Sequence, residues 1–349
     1  MYVDSLSRGD MNILVTGAAG FISSQLSYRL YKEGHSVSLL DNFSYGYDDN
    51  LIFEDKTFID EIYRKDIRDI EFLDNLFKEK KFDVVYHFAG ITPLPDCQNN
   101  PSLAVDVNVR GTMILLELVR KYGVKKFIFA STSAVYENNT DFPSVEEKVE
   151  KPSLIYPSTK YAAEQFCKAF YDAYNIPIVV FRFANVYGPH IDCLRTQPPV
   201  MGYIIRELFN DRSPILHSTG NQERDFIFVS DLIDLALLVL KNEKYDTINV
   251  STGTTISINK ITDIIKQKMG KTNIETKYAD VSNYWVNYPE LYEKPYPINN
   301  ELMEHEVLKY TCLSNEHAYK KYGWKPKVSI EDGIERTVNF SLKVLSNKK

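Results

Sequence analysis

Apolar runs alternate with segments of helical periodicity through the first half of the chain. Strand-like runs fall at 12–16, 36–41, 82–88, 125–131 and 177–184, with a shorter one near 58–63. Between them, apolar positions recur at helical spacing over 21–33, 70–79, 101–122 and 158–174. Runs such as Phe82-Asp-Val-Val-Tyr-His-Phe88 and Phe127-Ile-Phe-Ala130 are apolar almost throughout, as strands buried on both faces are. The alternation predicts an α/β fold, a doubly wound parallel sheet covered by helices on both faces. It weakens after about residue 186, where Pro189, Pro198, Pro199 and Pro214 interrupt the chain. Helices are expected at 200–209, 231–241 and 257–269, and a strand at 246–251. The stretch 278–310 is dense in tyrosine and proline. This mixture predicts a second, smaller α+β domain interleaved with the first. The expected division is 11–185 plus about 231–260 for the sheet domain, about 186–230 plus 261–345 for the second, and a polar tail at 1–10.

The first strand leads into Thr16-Gly-Ala-Ala-Gly20, a turn of small residues, and then into Phe21, Ile22, Leu26 and Leu30 at helical spacing. Gly17 lets the backbone turn sharply, and Gly20 lets it approach a pyrophosphate. The free N–H groups at the start of the helix then face the phosphate charge. A glycine turn alone is a weak signal, and a tight structural turn is its plain reading. The second strand strengthens the case by ending in Asp41, about 20 residues beyond the turn, where a carboxylate can accept from adenosine ribose hydroxyls. Asn42 and Phe43 follow, with no arginine, which favours NAD over NADP. Gly17, Gly20, Phe21, Ile22, Asp41 and Asn42 are therefore candidate cofactor contacts.

Composition narrows the class. At 349 residues, the chain suits two domains or one elaborated domain. A net charge of −6 offers no basic footprint for nucleic acid. The six histidines show no metal-ligand spacing, so no metal is expected. Cys97, Cys167, Cys193 and Cys312 form no C-x-x-C pair, which fits a reduced compartment. No apolar stretch approaches the length of a membrane span, and residues 1–10 lack the apolar core of a signal peptide. The expectation is a cytoplasmic protein with no membrane or nucleic-acid partner.

Two clusters could carry chemistry. The strand 125–131 ends in Ser131-Thr-Ser133, hydroxyls at the usual binding edge of a parallel sheet, although Ser and Thr also commonly just end strands. Downstream, Tyr156 and Lys160 stand four apart and share a helix face. An ordinary tyrosine is a poor base at neutral pH. A neighbouring ammonium lowers its pKa and poises it as a general base for an alcohol proton. Such pairs are common by chance. Their weight comes from following a glycine turn and a hydroxyl cluster in this order.

Together these residues resemble the short-chain dehydrogenase/reductase superfamily, and within it the extended branch acting on nucleotide sugars. Further marks are Asp66-Ile-Arg-Asp69, His87-Phe-Ala-Gly90, Asn108-Val-Arg-Gly-Thr112, Arg182-Phe-Ala-Asn-Val-Tyr-Gly-Pro189, Arg224-Asp-Phe-Ile-Phe-Val-Ser-Asp231 and Gly323-Trp-Lys-Pro326. The resemblance runs from Asn12 to about Ile334 and implies a Rossmann sheet, NAD as cofactor, a nucleotide-diphosphate sugar as substrate and a homodimer. It places Asp66 and Ile67 at the adenine. Phe88, Ala89 and Gly90 fall along the phosphates and nicotinamide ribose. Lys160 also falls on that ribose, Tyr156 at the exchanged proton, and Thr132 with Ser133 at the reacting oxygens. Asn185 and Arg224 fall on the substrate diphosphate.

Three positions depart from the family pattern. Ser23 replaces a usual glycine, Glu137 stands where glycine is common, and His190 where arginine is common. Family 4,6-dehydratases also carry an Asp-Glu pair after the threonine, where this chain has Ser133 and Ala134. The implied activity is therefore an NAD-dependent epimerase working by transient oxidation at a sugar carbon, taken as carbon 4. A nucleotide-sugar dehydrogenase or reductase, a 4,6-dehydratase using other acids, and a non-catalytic NAD sensor remain alternatives. Cys97 reads as a packing residue, and the aromatics of Tyr278–Tyr296 as local core.

Overall fold

The computed structural model describes residues 11–347 apart from 55 and 59–61. The expected tail at 1–10 and part of the expected strand near 58–63 lie outside the described residues. Seven strands form the central sheet: β1 (Asn12–Thr16), β2 (Ser36–Asp41), β3 (Ile62–Arg64), β4 (Val84–His87), β5 (Lys126–Thr132), β6 (Ile178–Phe183) and β7 (Asp246–Val250). Their order is β3-β2-β1-β4-β5-β6-β7, and every neighbouring pair is parallel. The chain direction across the sheet reverses between β1 and β4, which is where such sheets open a binding crevice.

The helices that pack on this sheet are α1 (Phe21–Lys32), α2 (Ile70–Lys80), α3 (Gly111–Tyr122), α4 (Ile155–Tyr174) and, later in the chain, a helix at Val229–Leu238. Helix α3 continues Pro101–Val105 through a π-helical turn at Asp106–Arg110. Side chains alternate between the two faces of the sheet. Ile13, Val15, Val84, Tyr86, Ile128, Val179 and Phe181 join Leu26 and Leu30 of α1 in one core. Leu14, Leu40, Val85, Phe127, Phe129, Ile178 and Val180 join Leu73 and Phe77 of α2, Leu115 of α3 and Ala163 of α4 in the other. The fully apolar strand runs are thus explained by two covered faces. Each large side chain buried there contributes roughly 1.5–3 kcal/mol.

A third core lies apart from the sheet. It gathers α5 (Val200–Phe209), α7 (Ile258–Met269) and α8 (Ile330–Asn347), with α6 denoting the sheet-packed helix Val229–Leu238. Tyr187, Phe226 and Phe228 enter it from a small parallel strand pair, Asn185–Tyr187 with Phe226–Phe228. Helices at Leu94–Asn99, Asn300–Leu308 and Glu316–Tyr322, and α8, were not anticipated from the sequence. The first three are short, and prolines frame Leu94–Asn99. Within the tyrosine-rich stretch, Trp285 is fully buried against Leu154 and Met303, so that stretch packs on the residue preceding α4. Tyr296, by contrast, is exposed.

Candidate active site

A cleft of about 670 Å³ opens along the carboxyl ends of β1, β2, β4, β5 and β6. At one end it is floored by the turn after β1. Gly17 has φ +69°, and a Cβ there would lie 2.8 Å from Ala89 Cα and N. Only glycine fits, because the turn needs both the left-handed conformation and the close approach of β4's exit. The Gly20 N–H donates to the Gly17 carbonyl at 3.0 Å. Helix α1 begins with no side-chain cap, so the amides of Phe21 and Ile22 remain available at a helix N-terminus that lines the cleft.

Asp41 ends β2 in the same cleft. Its Oδ2 accepts from Ala19 N at 2.9 Å and its Oδ1 from Phe43 N at 2.7 Å. Burial pushes this carboxyl up from its ordinary value, and the backbone N–H groups and Arg64 restrain the rise. Asp66 is different. Bonded to Arg68 at 2.8 Å and to Asn42 at 2.9 Å, it is held down at about 2, chiefly by Arg68. The glycine turn, the uncapped helix start and a carboxylate with lone pairs to spare fit the pyrophosphate and ribose of a dinucleotide.

The middle of the cleft is held by a buried chain of hydrogen bonds that the sequence reading missed. The Thr112 hydroxyl donates to Asn108 O at 2.7 Å, so it must accept from His87 Nε2 at 2.9 Å. His87 Nδ1 is then an acceptor for the Thr16 hydroxyl at 2.8 Å. Burial, with the Lys160 charge adding, keeps His87 neutral. Thr16 Oγ1 accepts the Ala89 amide at 3.2 Å. Asn108 takes the Ile91 amide at 2.8 Å and donates to the Ile91 carbonyl at 3.0 Å and to Thr159 Oγ1 at 3.1 Å. Phe88, Ala89 and Gly90 therefore line the cleft on a backbone fixed from both sides.

The other wall carries Thr132, Ser133, Tyr156, Lys160 and Asn185. The Thr132 hydroxyl accepts from the Ala134 amide at 3.1 Å, which leaves its own proton to donate. Lys160 is buried, donates to the Ala130 carbonyl at 2.8 Å and lies over the Phe129 ring at 4.8 Å. Burial brings it down to about 8. The expected lowering of the Tyr156 phenol by Lys160 is corrected here. Burial pushes Tyr156 up, and hydrogen bonding with Thr132 pulls it partly back. Lys160 does not enter, because its ammonium is turned to the Ala130 carbonyl and the Phe129 face. The group can still bind, orient and exchange a proton with an alcohol lying between Tyr156 and Thr132.

Arg224 is not brought into the cleft. Its guanidinium donates to the carbonyls of Glu223 and Val307 at 3.0 Å each and of Glu306 at 3.3 Å, and burial lowers its pKa. Asn185 Nδ2 donates to the Asp225 carbonyl at 3.1 Å. Cys97 is fully buried beside Ile91, Ala134 and Tyr156, and burial pushes its thiol up to about 12, so it packs rather than reacts. His190 is stacked between Phe53 and Phe340, 4.8 and 4.3 Å between centroids. Burial takes it down to about 4, so no cation replaces the usual arginine.

The loop after Asp41 also lines the cleft through Ser44, Tyr45, Gly46 and Tyr47. Tyr45 donates to Asp96 at 2.7 Å and Tyr47 to Asp192 at 3.3 Å, tethering the loop across the opening. Its Tyr45-Gly46-Tyr47 sequence, four residues beyond Asp41, was the available signal. Among the described residues, no group of three or more His, Cys, Asp or Glu could hold a metal ion.

A model of the NAD dependent epimerase/dehydratase family matches residues 13–251. The chain is 33% identical over 329 residues to a putative UDP-glucose 4-epimerase of Methanocaldococcus jannaschii, covering 94% of this chain and 97% of that protein. It is 30% identical over 341 residues to the dTDP-D-glucose 4,6-dehydratase of Mus musculus, covering 97% and 90%. Among solved structures, it resembles a UDP-glucose 4-epimerase from Thermotoga maritima crystallised with UDP-glucose. That match has a TM-score of 0.83 and 29% identity, covering 96% of this chain and 100% of that one.

Proposed function

The chain belongs to the NAD-dependent epimerase/dehydratase family, and on that footing we propose that it is an epimerase of a nucleotide-diphosphate sugar, inverting one sugar carbon, taken as carbon 4. The observation that carries this reading is that Tyr156, Lys160, Thr132 and Ser133 share one cleft with a dinucleotide-fitting turn, while no carboxylate follows Thr132. The cleft's carboxylates are Asp41, Asp66 and Asp192. Asp192 is engaged by the amides of Leu194 at 2.8 Å and Arg195 at 3.1 Å. Ala134 supports epimerisation over 4,6-dehydration because a methyl group moves no proton.

NAD is held by Gly17, Gly20, Phe21 and Ile22 at its pyrophosphate, by Asp41 and Asn42 at a ribose, and by Asp66 and Ile67 at the adenine. Phe88, Ala89, Gly90 and Lys160 serve the nicotinamide ribose. Bound there, NAD supplies reversible hydride acceptance, which takes a sugar alcohol to a ketone and back. Tyr156 takes the alcohol proton and returns it. Thr132 donates to the reacting oxygen, and Ser133 stands beside it. Inversion requires the sugar to present its other face, so Asn185 must hold the diphosphate while the ring turns. Arg224 would have to leave its carbonyl partners to join in.

The finer readings that rest on the family resemblance are a homodimer and a role in carbohydrate biosynthesis, whereas a reduced compartment, taken as the cytoplasm, rests on the four free cysteines. No helix among the described residues is long and apolar enough to cross a membrane. The two-domain division is supported by β7 joining the sheet and α6 packing beside α1, whereas α7 packs on α5 and α8. Tyr156→Phe tests the reading on a panel of UDP and dTDP sugars. The variant should keep NAD and lose turnover by roughly 10²–10⁴-fold; turnover near the parental rate contradicts it. Lasting NADH absorbance would instead indicate net oxidation, and loss of water a dehydratase.

A further inference from the structure

The first turn of α4, which bears Tyr156, is not capped by its own side chains. Leu154 occupies the N-cap position and offers no acceptor. A helix start leaves several N–H groups without internal partners, and here those of Leu154 and Ile155 are taken by residues far away in the chain. Glu137 Oε1 accepts from Leu154 N at 2.9 Å and also from Ser153 N. Gln98 Oε1 accepts from Ile155 N at 3.2 Å. Glu137 is buried, 6% exposed, and its charge complements the positive end of a 20-residue helix.

Glu137 also belongs to the turn that bears Thr132. The Glu137 amide donates to the Ala134 carbonyl at 3.0 Å, and the Ala134 amide donates to Thr132 Oγ1 at 3.1 Å. On the far side, the Tyr156 carbonyl accepts from Thr159 Oγ1 at 2.7 Å. An unbroken run of bonds therefore joins the Thr132 hydroxyl to the backbone beside Tyr156, and the Glu137 side chain is its one long link.

We propose that Glu137 is a positioning residue that sets the separation of the Thr132 and Tyr156 hydroxyls by holding the start of α4 against the Thr132–Tyr136 turn. The proposal rests on the role given to Tyr156 above. It is the reach of the acceptor oxygen that matters, so glutamine at 137 serves, whereas aspartate keeps the charge but falls one methylene short.

The test compares Glu137→Gln, Glu137→Asp and Glu137→Ala in the NAD-loaded protein. Glu137→Gln should keep kcat within about threefold, and the other two should lose about 10- to 100-fold in kcat, the size expected of a misplaced reacting group. KM and the NAD dissociation constant should stay within about threefold in all three, because the cofactor turn is untouched. Amide hydrogen exchange over 153–156 should quicken in Glu137→Asp and Glu137→Ala but not in Glu137→Gln. Parental kcat in the aspartate and alanine variants overturns the proposal, as does an equal loss of kcat, KM and NAD affinity. If those two variants do not fold, Glu137→Gln must still show parental exchange protection, and loss of protection there also overturns it. A parent chain without epimerase turnover would defeat the reading of Tyr156, while the exchange measurement would still judge Glu137.

Discussion

The Lys160 ammonium donates to the Ala130 carbonyl at 2.8 Å, which ties helix α4 to strand β5 two residues before Thr132. The tie explains how a lysine can be fully buried without an anionic partner. It also places at the acid–base wall an ammonium that burial brings down to about 8.

Activity should fall on the alkaline side as pH rises through about 8, because Lys160 then loses the charge with which it holds the nicotinamide ribose. A rate limited by the Tyr156 phenol alone would give the opposite trend, still rising where Lys160 has lost its proton, because burial holds that phenol above its ordinary value. Lys160→Met should lack that alkaline limb and turn over roughly 10²-fold more slowly. A pH–kcat profile of both proteins decides, and an unchanged limb in the variant contradicts the assignment. Stability has its own sign. Between about 8 and the ordinary 10.5 the unfolded chain binds more protons at this lysine, so stability should rise with pH there.

NAD affinity should weaken on mild acidification through Asp41. Its carboxyl is raised by burial, and only the ionised form accepts from two ribose hydroxyls. Asp66, held at about 2, stays charged throughout that range. Asp41→Asn should bind NAD on the order of tenfold more weakly, the size of one or two charge-assisted hydrogen bonds, and with little pH dependence. Calorimetric titration at several pH values checks this. A variant that keeps the parental pH dependence would point to a different group.

Gly17→Ala should abolish NAD binding and lower the melting temperature. The added Cβ would lie 2.8 Å from the Ala89 backbone in a left-handed conformation, a combination expected to cost on the order of 1–3 kcal/mol. Thermal melts with and without NAD measure both effects. An NAD-induced shift equal to the parent's would contradict the tight approach of β1 and β4.

Behind the site, Arg182 and Glu164 form a buried pair at 2.7 Å, with Ser131 on Glu164 and Tyr136 on Arg182. Glu164→Leu leaves the guanidinium buried without its counter-ion and should destabilise the fold by about 3–5 kcal/mol. Denaturant unfolding measures it. A loss below about 1 kcal/mol would mean that the arginine finds water.

Much of this arrangement is legible in the chain. The seven-stranded sheet follows from apolar runs that make sense only when both faces are covered. The cleft residues Gly17, Asp41 and Thr132 stand at the ends of those runs, and Tyr156 and Lys160 open the helix α4 that follows. What could not be read depends on contacts between distant segments. The His87–Thr112–Asn108 chain joins three elements, and nothing local marks a buried neutral histidine. Glu137 looks like a surface acid in a polar stretch until α4 is seen to lack a cap. Arg224 illustrates the reverse case. Its motif is intact, yet its guanidinium lies on the carbonyls of Glu306 and Val307, in a helix the sequence did not announce. The tyrosine-rich segment hid its order because Trp285 packs on Leu154, outside its own element.

The most direct measurement follows a deuterium placed at carbon 4 of UDP-glucose through turnover by the NAD-loaded protein. Transient oxidation with return of the hydride predicts an epimer that keeps the label at carbon 4, with no water lost and no NADH accumulating. A label found at carbon 6 of a dehydrated keto sugar, or in free NADH, would contradict it.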